Sequence, residues 1–223
     1  MRSFRHIVLA LTASAAVGLS PSAATAQQTA AGWQDAWFWG AYGGYTSFAT
    51  SIARTSAPTI GVDWMITREH IALNVFAEQA FFNAVSTVTD FPTTVPRRVD
   101  IQDMRRVGFA AMIFTPQLYR LKPYFNVGYA FNFIKAGTPE ASFFTTPAAR
   151  DTVLGRINDA RAEGKLFGGF GLMTVMGRFA PFLQYTVMPT QGSGSWMVNG
   201  AGFTNSWSGG LRYNFGTSVD KKW

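Results

Sequence analysis

From Phe203 to Phe215 the chain alternates with a period of two. One parity reads Phe203, Asn205, Trp207, Gly209, Leu211, Tyr213 and Phe215; the other reads Thr204, Ser206, Ser208, Gly210, Arg212 and Asn214. A period of two marks a strand with one apolar and one polar face. The pattern recurs. Ile60, Val62, Trp64 and Ile66 oppose Thr59, Gly61, Asp63 and Met65, and Ile71, Leu73, Val75 and Ala77 oppose Asn74, Phe76 and Glu78. Val107, Phe109, Ala111 and Ile113 oppose Arg106, Gly108, Ala110 and Met112. Phe125, Val127, Tyr129, Phe131 and Phe133 oppose Tyr124, Asn126, Gly128, Ala130 and Asn132, and Leu183, Tyr185 and Val187 oppose Phe182, Gln184 and Thr186. Two further segments are strand-like, the first mixed in pattern and the sixth of open parity. Eight strands are predicted, at 37–48, 58–66, 71–83, 101–114, 123–134, 166–176, 179–188 and 203–215.

The connections alternate in length. After the second, fourth and sixth strands come tiny turns at 67–70, 115–117 and 177–178; after the others come loops at about 49–57, 84–100, 135–165 and 189–202. Strict alternation puts all turns at one end of a meander and all loops at the other, the layout of transmembrane barrels. Each segment suits the roughly 9–11 residues of a tilted spanning strand. An open sheet in hydrocarbon would strand its edge N–H and C=O groups, so spanning strands must close into a ring. The expected fold is all-β: one eight-stranded antiparallel up-and-down transmembrane β-barrel over 27–223, apolar outside and polar inside. Within the third loop, 151–163 reads as a short surface helix, with Val153, Leu154 and Ile157 on one face and Asp151 as its cap. Arg156 and Arg161 follow, suited to lipopolysaccharide phosphate; an ordinary mobile loop is the alternative reading.

Composition narrows the solvent. Of 223 residues 48% are hydrophobic and only 14% charged, against about 25% charged in a typical soluble domain. The mean hydropathy of +0.07 is too low for a bundle of membrane helices. The one long apolar helical stretch, Ile7–Leu19, is shorter than the roughly 17–25 residues a spanning helix needs. Preceded by Arg2 and Arg5 and followed by Ala24-Thr25-Ala26, it reads as a signal peptide, residues 1–26, cleaved before Gln27. An exported chain rarely meets nucleic acid. Its net charge of +7, less Arg2 and Arg5, points to phosphorylated lipid at a bacterial surface or to no specific partner. The absence of cysteine excludes disulfide scaffolds, CxxC redox sites and cysteine-held zinc.

The closing segment Ser208-Gly-Gly-Leu-Arg-Tyr-Asn-Phe215 resembles the C-terminal assembly signal of Gram-negative outer-membrane proteins, with Ser208, Gly210, Tyr213 and Phe215 at its polar, glycine and aromatic positions. Pro123-Tyr-Phe-Asn-Val-Gly-Tyr-Ala is similar to mid-barrel strands of small OmpA/OmpX-like barrels. The resemblance implies an outer-membrane location and recognition of the last strand by the barrel-assembly machinery. It departs from the family pattern in that Gly216–Trp223 follow the final aromatic, which makes the signal internal.

Candidate chemistry is sparse. His70, the one histidine after cleavage, falls in a turn beside Glu69, without the positioned partners that acid–base catalysis needs. Asp100 and Asp103 beside Arg97, Arg98, Arg105 and Arg106 suggest a metal or phosphate site or, more simply, surface ion pairs. Asp63, Glu78, Arg106 and Arg212 share the inward parity, where a charge is costly unless paired. Placing Ala84 opposite Asp100 brings Glu78 opposite Arg106, predicting an interior ion pair that Asp63 and Arg212 extend into a polar network plugging the lumen. The expected function is therefore a non-enzymatic, monomeric barrel with a structural, adhesive or surface-interaction role through its loops. Its partners are outer-membrane lipid and lipopolysaccharide, and no cofactor or metal is implied. A narrow conduit for small or hydrophobic solutes, a lipid-modifying enzyme and a soluble lipocalin-like binder are the alternatives. The last of these lacks its Gly-x-Trp at the first strand.

Overall fold

The computed structural model describes residues 33, 35–89, 96–140, 147–190, 197–198 and 200–217. The expected signal peptide lies outside them. Eight antiparallel strands form one closed ring in sequence order: β1 (Ala36–Ala49), β2 (Arg54–Arg68), β3 (Ile71–Thr89), β4 (Pro96–Phe114), β5 (Leu121–Pro139), β6 (Ala162–Thr174), β7 (Phe179–Pro189) and β8 (Phe203–Thr217), with β8 paired back onto β1. Among the described residues one helix, α1 (Pro147–Asp159), lies between β5 and β6. Among the described residues no helix is long and apolar enough to cross a membrane.

The alternation read from the sequence is the alternation of the wall. Trp39, Ile60, Val75, Phe109, Phe125 and Leu183 are exposed outside; Phe38, Met65, Met112, Ala130 and Phe182 are buried inside. The sixth strand, of open parity in the sequence, turns Phe167 and Met173 inward and Leu166, Phe170 and Leu172 outward.

Following paired residues round the ring fixes its geometry. From Trp37 the path runs through Ile66, Leu73, Ala111, Val127, Gly168, Val187 and Asn205, and returns to β1 at Ser47. With eight strands, that stagger tilts them by about 40° from the barrel axis. The 19-residue strands β3, β4 and β5 then rise about 48 Å, well beyond an apolar band about 25 Å tall.

Two of the expected loops are thus largely strand. β1 and β2 join through residues 50–53, and β3 runs on to Thr89 before β4 starts at Pro96. Only the β5–β6 connection, which carries α1, and the 190–202 segment are long. At the other end β2–β3, β4–β5 and β6–β7 turn through Glu69-His70, Tyr119-Arg120 and Gly177-Arg178. Glu69, Tyr119 and Gly177 hold positive φ of 46°, 57° and 63°, the sense that two-residue hairpins require. The helix starts four residues earlier than expected. Pro147 opens it, where a missing N–H costs nothing, so Asp151 is not its cap; Val153 and Ile157 do form its buried face, each 1% exposed, while Leu154 is only half-buried.

Two apolar clusters occupy the ends of the interior. At the turn end, Trp33, Phe38, Met65, Met112, Phe114 and Tyr124 pack together, Trp33 edge-on to Phe114 at 4.4 Å. At the loop end, Phe48, Ile101, Met104 and Ile134 pack beneath Val153, Ile157 and Met197.

Candidate functional site

Between the two clusters the interior is polar. On β3 and β4, Glu78 sits directly opposite Arg106, and Arg106 Nη1 donates to Glu78 Oε1 at 2.7 Å. Arg106 Nε donates to Asn132 Oδ1 at 2.8 Å, and the Tyr42 hydroxyl donates to Glu78 Oε2 at 3.2 Å. A second pair lies nearer the turn end. Arg212 Nε and Nη2 donate to Asp63 Oδ2 at 2.8 and 2.6 Å, and the guanidinium lies 3.8 Å over the Phe182 ring. Both residues are almost fully buried, at 1% and 2% exposure. Gly40 is opposite both Asp63 and Arg212, and a Cβ there would collide with the Asp63 carboxylate. Glycine at this position is the space in which that ion pair forms.

The four residues singled out in the sequence therefore form two pairs, Glu78–Arg106 and Asp63–Arg212. They face one chamber of about 40 Å³ and are not fused into a single chain of bonds. Tyr42 stands between them on the chamber wall, its ring over Gly61. The register behind the first pair needs a correction. Ala84 faces Ile101 and not Asp100, because the ladder slips by one residue between Ala80 and Asn83. Phe81 and Phe82 bulge opposite Asp103, which has φ of 50° and accepts the Phe82 N–H at 3.3 Å. Glu78 and Arg106 lie on the turn side of that bulge, so their pairing is unaffected. The Glu163–Lys165 ion pair at 3.2 Å is not among those singled out in the sequence, because the sequence reading places both residues in the third loop, whereas β6 already begins at Ala162.

The remaining candidates disperse. Asp103 bonds Lys135 at 3.4 Å, Arg105 turns outward to Gln79 Oε1 at 3.1 Å, and Arg106 turns inward. These groups do not share a face, and among the described residues no set of three His, Cys, Asp or Glu side chains gathers as a metal site. His70 is an exposed turn residue whose carbonyl accepts the Phe114 N–H. On β8, Ser208 lines the chamber, Gly210 faces inward against Tyr42, and Tyr213 and Phe215 face outward at the turn end with rings 5.0 Å apart. Phe215 is the residue passed over where β8 slips against β1 between Trp37 and Phe38.

No protein-family model matches the chain, and no curated protein sequence matches it. Solved structures do. Neisserial surface protein A (NspA) is 12% identical, over 80% of this chain and 97% of that one, with a TM-score of 0.54. Ail, the attachment invasion locus protein of Yersinia pestis, solved in complex with the heparin analogue sucrose octasulfate, is 11% identical over 81% of this chain and 99% of that one, with a TM-score of 0.41. A designed transmembrane β-barrel is 10% identical over 81% and 96%, with a TM-score of 0.42. What the chain shares with NspA at that identity is the fold, the closed eight-stranded up-and-down barrel.

Proposed function

We propose that this chain is a non-enzymatic integral outer-membrane barrel, monomeric, that presents its loop-end arms and helix to partners at the cell surface. One observation carries the reading. The closed ring turns apolar side chains outward and keeps the spanning strands' charges inside or at the ends, the inverse of a soluble barrel and the arrangement that hydrocarbon demands. The fold shared with NspA supports the outer membrane in particular.

The projecting hairpins support the surface role. Above the apolar band the outward positions become Arg54, Asp100, Arg98 and Arg105, with Lys135 beside them and Arg156 on the helix. Such a rim suits lipopolysaccharide phosphates and charged surfaces beyond them. The two apolar clusters and the paired charges between them support a lumen filled by side chains, as barrels of this strand number are. The polar chamber favours a narrow conduit as the competing reading.

The protein expressed in a Gram-negative host should fractionate with the outer membrane, resist carbonate extraction and run faster on a gel unheated than boiled. Purified and inserted in planar bilayers, it should give no discrete conductance steps. Carbonate release would overturn the membrane reading; conductance steps would replace the filled lumen with the conduit.

A further inference from the structure

Inside the barrel, buried polar atoms without a hydrogen-bond partner are Asp63 Oδ1, Asn74 Oδ1, Arg106 Nη2, Asn126 Oδ1 and Thr204 Oγ1. Their residues are between 1% and 7% exposed. They come from five different strands, β2, β3, β4, β5 and β8, yet every one of them lines the same chamber. Native proteins satisfy nearly all such atoms, and the exceptions call for an explanation. Convergence on one cavity supplies it: the missing partners belong to a single occupant.

We propose that the chamber is a binding site for a neutral ligand made of hydrogen-bonding groups, either water itself or a small polyol or amide. The size follows from the volume. A cavity needs roughly 10–15 Å³ per water, so about 40 Å³ takes about three water-sized groups. The charge follows from the walls. Arg106 is matched by Glu78 and Arg212 by Asp63, so a lone cation or anion would enter without a counter-charge. The polarity follows from the unpartnered atoms. Asp63 Oδ1 needs a donor and Arg106 Nη2 needs an acceptor, while the Thr204 hydroxyl serves as either. Each amide of Asn74 and Asn126 offers an acceptor, or a donor once turned over. A hydroxyl or water meets all of these; an apolar molecule meets none. The site is separate from the loop-end surface and requires only the closed barrel.

The test is heteronuclear NMR on the full mature chain in detergent micelles. Side-chain signals of Asn74, Asn126 and Arg106 should show cross-peaks to long-lived water. Titrating glycerol or urea then separates the two sources of the same chemistry. Saturable shifts confined to chamber residues, with loss of the water cross-peaks, identify a small solute as ligand; unchanged cross-peaks identify water as the resident. A chamber with neither water cross-peaks nor saturable shifts would overturn the proposal, as would saturable shifts from acetate or guanidinium in place of the neutral solutes. Thr204→Val gives an independent reading through the urea midpoint. It should fall, because an occupied hydroxyl loses its partner. A midpoint that rises would mean that the hydroxyl was buried dry, and the site would be empty.

Discussion

Four charges inside a barrel wall are tolerable only in pairs, and the pairs here are set by single residues. Removing one partner of a buried pair leaves the other uncompensated, at a cost of about 3–5 kcal/mol. Arg106→Ala should therefore lower the stability of the refolded barrel in urea by about that amount, and Glu78→Ala similarly. The double variant should lose less than the sum, because the two share one interaction; strictly additive losses would show that the 2.7 Å contact contributes nothing. The partnership was legible in the sequence, since Glu78 and Arg106 stand on the polar parity of neighbouring strands and need each other there. Its register was legible only on one side of Asp103. A bulge is made by local backbone choice, and nothing in the alternation up to Ala80 announces that Phe81 and Phe82 share one opposite residue. The chamber was less legible still. Asn126 and Asn132 declare their inward parity openly, but one found a partner in Arg106 and the other did not, which depends on distances across the lumen.

Among the strands, polarity explains what sequence patterning catches. It finds strands where lipid forces the outer face to be apolar. Beyond the band, Asn83, Thr87, Arg98 and Gln102 continue the β3–β4 ladder with polar groups on the outer face, so the alternation fades while the backbone bonds persist. The seam between β6 and β7 is the opposite case, a short ladder inside the band. Only Gly168–Met173 pair with Phe182–Val187, although β6 pairs with β5 along its whole length and β7 with β8 likewise. Pro181 and Pro189 flank the paired stretch, and each lacks the N–H that would extend it. This seam should open first: in hydrogen exchange, amides of Ala162–Phe167 and Gly168–Met173 should exchange faster than those of Ala72–Ala80 on β3. Equal protection would show that the seam is closed by other means. The last strand carries its own prediction. Phe215→Ala should reduce folded barrel in the outer membrane, read by the heat-dependent gel shift, if the assembly machinery reads Tyr213 and Phe215. Normal assembly would assign the aromatic pair to the lipid interface alone.

At the scale of the whole molecule the two ends of the interior are closed by different devices. The turn end is closed by Trp33, just ahead of β1, seated on Phe38 and Phe114 of the wall and with its carbonyl accepting the Thr67 hydroxyl at 2.6 Å. The loop end is closed partly by α1, an appended element that reaches the wall through Val153 and Ile157 and, just past its end, through Ala160 and through Arg161, whose Nε donates to the Ile134 carbonyl at 3.0 Å. Backbone ladders do not run through the helix, so its docking is separable from the cooperative ring. Trp33→Ala should lower the global urea stability by about 3–5 kcal/mol, the usual cost of emptying a large aromatic site. Ile157→Asp should leave that midpoint nearly unchanged, because a charge under the helix is relieved by undocking it. The undocked segment would then be cut rapidly by trypsin at Arg150 and Arg156, while the barrel persists as a protease-resistant core. A fall in the midpoint as large as that of Trp33→Ala would show the opposite, that lid and ring unfold as one unit.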